Sequence, residues 1–334
     1  WDVISDRYRD EFRWRNALPM PDDDFIRQVR GDGIDVLVDL SGHSHGNRLT
    51  AFARRCAPVQ VTAWGHVHGT GLTAMDYLLA DRVVVPALSS PNGHGADLPG
   101  TLDPRFAERV VYLPVLCPFG PATTAPDVTP TPALASGVFT FGTFNRMDKL
   151  GARTYDLWAA ILKAVPTARL LIKTPEMDRP ERKAPCIEAL VSRGIDPGRL
   201  ECRGKTVHFE HLAHYRDVDL ALAPTPHGGG VTALEGLMMG VPTIVLRWPT
   251  VTGRTSAAIM TALGLTGWIA ETREKYVELA VQKTKDLQSL AALRGQLREI
   301  FTSSVMGNPE AYARAVEQEY RKLWQGWCAR QQAV

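Results

Sequence analysis

Leu222–Gly240 reads LAPTPHGGGVTALEGLMMG: a short apolar run, three consecutive glycines, then a helical pattern whose first turns carry Thr232 and Glu235. A glycine backbone can approach a ligand closely, and the free N–H groups of a helix start attract phosphate oxygens. Glu235 falls one turn into that helix, where a carboxylate can grip the hydroxyls of a sugar. A second apolar run, Val138–Phe141, ends in Gly142-Thr-Phe-Asn-Arg-Met-Asp-Lys149. Two strand ends, one supplying Gly228, Gly229 and Gly230 and the other Lys149, can hold a diphosphate from both sides.

Working outward from these runs, strands and helices alternate. Val138–Phe141, Arg169–Lys173, Leu200–Cys202, Leu220–Ala223 and Thr243–Leu246 read as buried strands. Helical patterns separate them at Arg153–Ala164, Arg182–Arg193, Glu210–Tyr215, Thr232–Met239 and Arg254–Leu263. Short connections between alternating elements predict an α/β doubly wound parallel sheet, whose ligands sit at the carboxyl ends of its strands. Upstream, Ile34–Leu40, Val59–Ala63 and Tyr77–Ala80 read as further buried strands, with a helix over Arg48–Arg55. Pro-, Gly- and Ser-rich stretches follow at Ala87–Asp103 and Cys117–Ser136, and the five prolines of the second mark an interdomain linker. From Glu271 onward the pattern is mostly helical and ends in the amphipathic Glu310–Trp327. The division that follows is a first lobe over 1–116, a linker over 117–137, a nucleotide-binding lobe over 138–306, and a closing helix over 307–334 that packs back toward the first lobe.

Composition narrows the function classes. The 38 basic and 36 acidic residues leave a net charge of +2, and no basic run of nucleic-acid-binding length is present. The longest apolar runs, about ten residues, are too short to span a bilayer. Cys56, Cys117, Cys186, Cys202 and Cys328 are scattered without a C-x-x-C pair, which predicts reduced thiols and a cytoplasmic protein. The chain opens at Trp1 inside charged, helix-like sequence, which predicts a piece of a longer protein.

Each candidate has a plainer reading beside it. The glycines can be a tight connection, although their place between a strand and a helix favours phosphate, and the absence of G-x-G-x-x-G disfavours a nicotinamide cofactor. Thr232 and Glu235 can be polar residues on a helix surface; yet Leu234, Leu237, Met238 and Met239 around them are apolar, and Gly236 is a poor helix former. Lys149 can be a solvated charge; near a phosphate site it would neutralise a departing diphosphate, and Arg146 is a weaker candidate of that kind. Arg254 lies near a helix start in TGRTS, where capping by Thr252 or Thr255 accounts for the motif equally well. Histidines cluster as His43 and His45 in SGHSHG, His66 and His68 in WGHVHGTG, and His208, His211 and His214 in VHFEHLAHY. A His-x-His after a strand is a pattern of zinc hydrolases. No further ligand falls in a strand-end series, so hydrogen-bonding imidazoles are preferred and no metal is expected. His211 and His214, three apart on one helix face, can reach toward Gly228–Gly230. Trp158, Trp268 and Trp324 read as core.

FGTFNRMDKL, EHLAHYRDVDLALAPTPHGGGVTALEGLMMGVPTIVL and GRTSAAIMTALGLTGWIA together resemble the catalytic region of protein O-GlcNAc transferases and SPINDLY-type enzymes, glycosyltransferase family 41. DVLVDLSGHSHGNRLTAFARRCAPVQVTAWGHVHGTGLTAMDY and the closing YRKLW are similar to the same family, so the resemblance runs from about Ile34 to Trp324. It implies a GT-B architecture of two Rossmann-like lobes with parallel sheets, the first incomplete in an N-terminally truncated catalytic region whose upstream tetratricopeptide repeats are absent. It implies inverting transfer of a sugar, N-acetylglucosamine from UDP-GlcNAc first of all, to Ser or Thr of a protein acceptor. Fucose or glucose transfer, and an inactive nucleotide-binding fragment, are the alternatives. No cofactor, metal, nucleic acid or membrane is implied. By motif, Lys149 contacts the diphosphate and stabilises the leaving group, Glu235 holds the ribose, His211 lies beside the nucleotide, and Thr232 lies near the phosphates. Arg146, Arg254 and Gly228–Gly230 complete the donor side, while His43, His66, His68 and Thr70 fall on the sugar or acceptor side. Two departures stand out: Gly230 and Val231 replace the first two polar residues of a His-Thr-Thr turn, and WGHVHGTG takes the place of a GYPGT-like loop.

Overall fold

Val36–Asp39 (β1), Val59–Thr62 (β2), Tyr77–Ala80 (β3) and Arg109–Tyr112 (β4) form one sheet in the order β1-β2-β3-β4. The computed structural model describes residues 3–65, 67–87, 100, 102–116, 118–120 and 124–332. β1 and β2 pair in parallel from Val36 opposite Val59, and β2 and β3 from Val61 opposite Tyr77. β4 continues in the same sense, its neighbourhood donating from Arg109 N–H to Asp76 O at 3.0 Å and from Leu113 N–H to Ala80 O at 2.8 Å. β4 has no counterpart among the strands expected from sequence, because four residues beside a Gly- and Pro-rich stretch show too little pattern to be told from loop.

The helix Asp22–Gly31 was likewise not anticipated. Pro21 precedes it, and Asp22, Asp23 and Asp24 crowd its first turn, where carboxylates oppose the positive end of the helix dipole. It buries Ile26 and Val29 against Ala51, Cys56 and Ala57. The helix expected over Arg48–Arg55 is shorter, Leu49–Phe52, because Arg55 takes a left-handed φ of 54° that no helix continues through. Arg55 turns back to pair with Asp76 at 2.8 Å.

The second sheet comprises Thr140–Thr143 (β5), Arg169–Lys173 (β6), Leu200–Arg203 (β7), Leu220–Leu222 (β8), Thr243–Leu246 (β9) and Ile269–Ala270 (β10). All pairs are parallel, in the order β10-β9-β8-β5-β6-β7. The chain builds outward from β5 to β7, returns to place β8 on the other side of β5, and builds outward again. The boundary between β5 and β8 is therefore the topological switch point, where the connections diverge and leave a crevice at the carboxyl edge. β5 and β8 approach closely because Gly142 has no side chain; a Cβ there would lie 2.6 Å from Val218 Cγ2. Trp158 and Trp268 are buried as expected, whereas Trp324 is half-buried and stacks on Trp327 with centroids 5.0 Å apart.

The chain divides into two compact units. One is drawn from Trp1–Leu79, Ser90–Val111 and Glu319–Val334, the other from Ala80–Ser89 and Tyr112–Gln318. The proline-rich stretch thus belongs to the second unit and carries a helical turn, Pro132–Ser136, closed by Gly137 at φ 69°. Buried Asp219 pins it to the sheet, accepting from Ala133 N–H at 2.9 Å and Thr140 N–H at 2.8 Å. Among the described residues no helix is long and apolar enough to cross a membrane.

Candidate functional site

Past β5 the chain passes through Phe144, Asn145 and Arg146 into a single 3-10 turn, Met147–Lys149; past β8 it runs to Gly228–Gly230 and the helix Val231–Met238. These connections meet at the switch point. Lys149 Nζ donates to Gly228 O at 3.0 Å, and Thr232 Oγ1 donates to Asn145 Oδ1 at 3.1 Å. Ser256, buried at the start of the next helix, donates to Gly229 O at 2.6 Å. The approach to the glycines is pinned from below as well, with Thr154 Oγ1 donating to Thr225 O at 2.8 Å and Tyr276 OH to Ala223 O at 2.9 Å.

The three glycines differ in what they permit. A Cβ at Gly228 would stand 2.4 Å from Ser256 Oγ, and one at Gly229 would stand 2.7 Å from Thr232 Oγ1. Gly230, by contrast, faces open space and precedes the helix. The loop is thus packed on its inner side, while its outer side presents backbone at a helix N-terminus, the geometry that receives a phosphate. Burial pulls the Lys149 ammonium below its ordinary value, and the charge of Arg146 adds to the effect. A diphosphate would relieve that unfavourable burial. Arg146 itself is exposed and pairs with Asp148 at 2.9 Å.

Glu235 is 6% exposed. One carboxylate oxygen meets His208 Nε2 at 3.1 Å and the other His211 Nε2 at 3.5 Å. Burial would push the carboxyl upward, but the hydrogen bonds from His211 and His208 outweigh it and hold it below its ordinary value. His211 is set edge-on to Phe144, which stacks on Tyr215 with centroids 3.9 Å apart. Tyr215 OH donates to Thr232 O at 2.9 Å, so one aromatic cluster joins the histidine to the glycine-loop helix.

Of His211 and His214, both expected to reach toward Gly228–Gly230, His214 does not. The α-helix ends at Ala213, and a 3-10 turn takes over at His214–Asp217. Tighter winding swings His214 away from the pocket to Arg203, 2.6 Å from its Nδ1. His208, one turn earlier, takes the place instead. The capping reading of TGRTS fails too: neither Thr252 nor Thr255 forms a side-chain cap. Arg254 donates from Nε to Trp248 O at 3.4 Å and lines a cleft beyond β9. Sequence reasoning missed Asn145, Ser256 and His208 as parts of this site. Asn145 and Ser256 both stood within quoted motifs, but nothing in the sequence distinguished either as a brace of the loop.

In the first unit, Asp39 shapes the SGHSHG turn by accepting from Gly42 N–H at 2.9 Å and Thr62 Oγ1 at 3.0 Å, which leaves His43 exposed. His66 lies outside the described residues, and His68 is half-buried. Thr70 is buried, its N–H and Oγ1 both donating to Glu108 Oε1 at 2.5 Å. Its hydroxyl is thus engaged with the loop's own scaffold. Gly65 is required there, since a Cβ would fall 1.5 Å from Leu40 O. Among the described residues no group of three or more His, Cys, Asp or Glu is gathered as a metal ion would need.

Known proteins resemble this chain in sequence and fold. A family model, Glycosyl transferase family 41, matches residues 22–94 and 130–316. A Hordeum vulgare protein named probable UDP-N-acetylglucosamine–peptide N-acetylglucosaminyltransferase SPINDLY is 32% identical over 319 residues, covering 94% of this chain and 32% of that protein. Its Solanum lycopersicum namesake is 31% identical over 335 residues, covering 98% of this chain and 34% of its own. The chain thus spans about a third of the length of these curated relatives. The structure of a mutant Thermobaculum terrenum O-GlcNAc transferase matches with a TM-score of 0.89 and 36% identity, covering 100% of this chain and 61% of that one. A Rickettsia africae glycosyltransferase, 12% identical, shares the fold at a TM-score of 0.62, with 97% of this chain and 88% of that one covered. The two parallel-sheet units are those of the GT-B fold. With the family model reaching into both sheets and relatives aligned over nearly its whole length, the chain belongs to glycosyl transferase family 41.

Proposed function

We propose that this chain is the donor-binding and catalytic region of an inverting protein O-glycosyltransferase, moving N-acetylglucosamine from UDP-GlcNAc to Ser or Thr hydroxyls of a protein. The observation that carries the reading is the meeting of Lys149 with the Gly228–Gly230 loop at the switch point, inside the family-matched region. The names of the relatives, which specify UDP-N-acetylglucosamine and peptide, supply the donor and the acceptor.

In this reading the diphosphate lies against the N-terminus of Val231–Met238, with Lys149 turned from Gly228 O onto its oxygens. The acceptor hydroxyl attacks the anomeric carbon from the face opposite the diphosphate; the bond to the leaving oxygen breaks as the new bond forms, and the hydroxyl proton passes to a donor phosphate oxygen or through water to solvent. Charge then accumulates on the diphosphate, where a preorganised ammonium is worth more than in water. Glu235, oriented by His208 and His211, keeps acceptor capacity for the ribose hydroxyls. The buried free thiols of Cys56 and Cys186 support a reducing, cytoplasmic setting.

Calorimetric titration with UDP and with GDP tests the reading, repeated on Lys149→Ala and Glu235→Ala. UDP binding that both substitutions weaken is the expected result. Preference for GDP would replace the donor with a GDP-sugar such as GDP-fucose. Binding of neither would overturn the site assignment for this chain.

A further inference from the structure

β9 leads into a second loop, Arg247-Trp-Pro-Thr-Val-Thr-Gly-Arg254, at the same carboxyl edge and one strand beyond the glycine loop. This loop is seated on its neighbour: a Cβ at Gly253 would fall 2.7 Å from Pro226 O and 2.5 Å from Trp248 Cβ. Beside it opens a cleft of about 360 Å³ walled by Arg247, Trp248, Arg254, Glu271 and Arg273. That volume lies within the range of small-ligand sites.

Three arginines and one glutamate line this wall. Arg247 gives Nη2 to Glu271 at 2.8 Å, while its Nε is buried without a hydrogen-bond partner. Arg273 is exposed at the start of the helix Arg273–Lys283. Trp248 supplies a flat apolar wall, with Arg153 held 5.2 Å from the ring centroid. The exposed parts of the Arg247 and Arg273 guanidinium groups can reach a ligand in the cleft, and guanidinium forks match carboxylate and phosphate oxygens. Lys149 and the glycine loop serve the diphosphate, and neither Arg247 nor Arg273 is among the donor-side residues.

We propose that the cleft binds an acidic side chain, carboxylate or phosphate, of the polypeptide glycosylated at the adjacent site. That the ligand is the acceptor rests on the reading under Proposed function; that it is anionic rests on the arginines alone. An anionic residue docked one strand from the diphosphate loop would orient the acceptor segment and select acceptors with acidic residues near the modified Ser or Thr.

The test uses the whole chain and labelled peptides identical except at one position, which carries Gln, Glu or phosphoserine at several spacings from a serine. Fluorescence anisotropy is expected to show the anionic peptides binding about tenfold tighter than the Gln peptide at low salt, with the advantage shrinking as salt is added. Phosphoserine alone showing it would assign the cleft to phosphate, and both showing it would assign it to oxyanions generally. Arg247→Gln/Arg273→Gln should abolish the advantage and leave UDP affinity and circular dichroism unchanged; Arg273→Gln alone, on an exposed side chain, should reduce it. Equal binding of all three peptides, or an advantage that survives in the variants, overturns the proposal. An advantage lost in the variants of a chain that binds no UDP would keep the cleft and overturn the donor reading instead.

Discussion

Lys149 is a half-buried charge and Glu235 a buried one, and their surroundings treat them oppositely. Lys149 hydrogen-bonds to a carbonyl rather than a carboxylate, and burial together with Arg146 outweighs the opposing charge of Asp148, so an anionic ligand would stabilise it. Lys149→Ala should weaken UDP about tenfold to a hundredfold, the worth of a charged hydrogen bond of about 1.5–3 kcal/mol, as read by calorimetry. Glu235 is compensated already. Because His211 and His208 hold its carboxyl below its usual 4.5, the stability it contributes is present above that pH and drains away as pH falls below it. Glu235→Gln should therefore lower stability at neutral pH and flatten the loss below pH 4.5, measured by urea melts across that window. Gly229→Ala would press a methyl group against Thr232 Oγ1 and Asn145 Oδ1. It should cost about 1–3 kcal/mol of stability and displace the loop enough to reduce UDP binding, seen in the same melts and titrations.

At the scale of elements, the site depends on packing that lies well outside it. Arg294, 2% exposed on the helix Leu287–Ser303, donates to Val218 O at 2.6 Å, Tyr215 O at 3.1 Å and Thr129 O at 2.7 Å. Burial lowers its guanidinium to about 10, against the pull of Asp219. The same residue thus ties the proline-rich stretch to the segment that carries Tyr215, and through Tyr215 to Thr232. Arg294→Ala should destabilise the chain by about 3–5 kcal/mol, since it strands three carbonyls and leaves Asp219 without its countercharge; thermal unfolding checks this. Strands of four or five residues built on an apolar run were legible in the sequence, and β3, β6 and β9 begin and end where the pattern places them. The turn from α-helix to 3-10 at His214 was not, because no residue there signals a change of winding and the choice depends on what Arg203 and Asp217 offer to His214.

For the whole molecule, the second sheet has the strand order expected of a nucleotide-binding lobe, with its own core and its own site. A chain of residues 112–318 should therefore fold alone and keep the nucleotide affinity of the longer chain within about threefold, in line with the independence of compact domains. Loss of UDP binding in that fragment, while the longer chain binds, would show that the first unit contributes to the donor site. Alternating apolar runs and short connections determined the α/β class and the parallel sheets, because burial on both faces leaves a strand no other composition. They also determined that a glycine-rich loop leading into a helix follows β8, because glycines and a helix start are local features. Only the tertiary structure decided that Asn145 and Ser256 brace that loop, that His208 rather than His214 joins His211 on Glu235, and that Thr70 turns inward to Glu108. These choices are settled by groups far apart in the chain competing for the same buried hydrogen-bond partners, and a one-dimensional pattern carries no record of which of them arrives first at bonding distance.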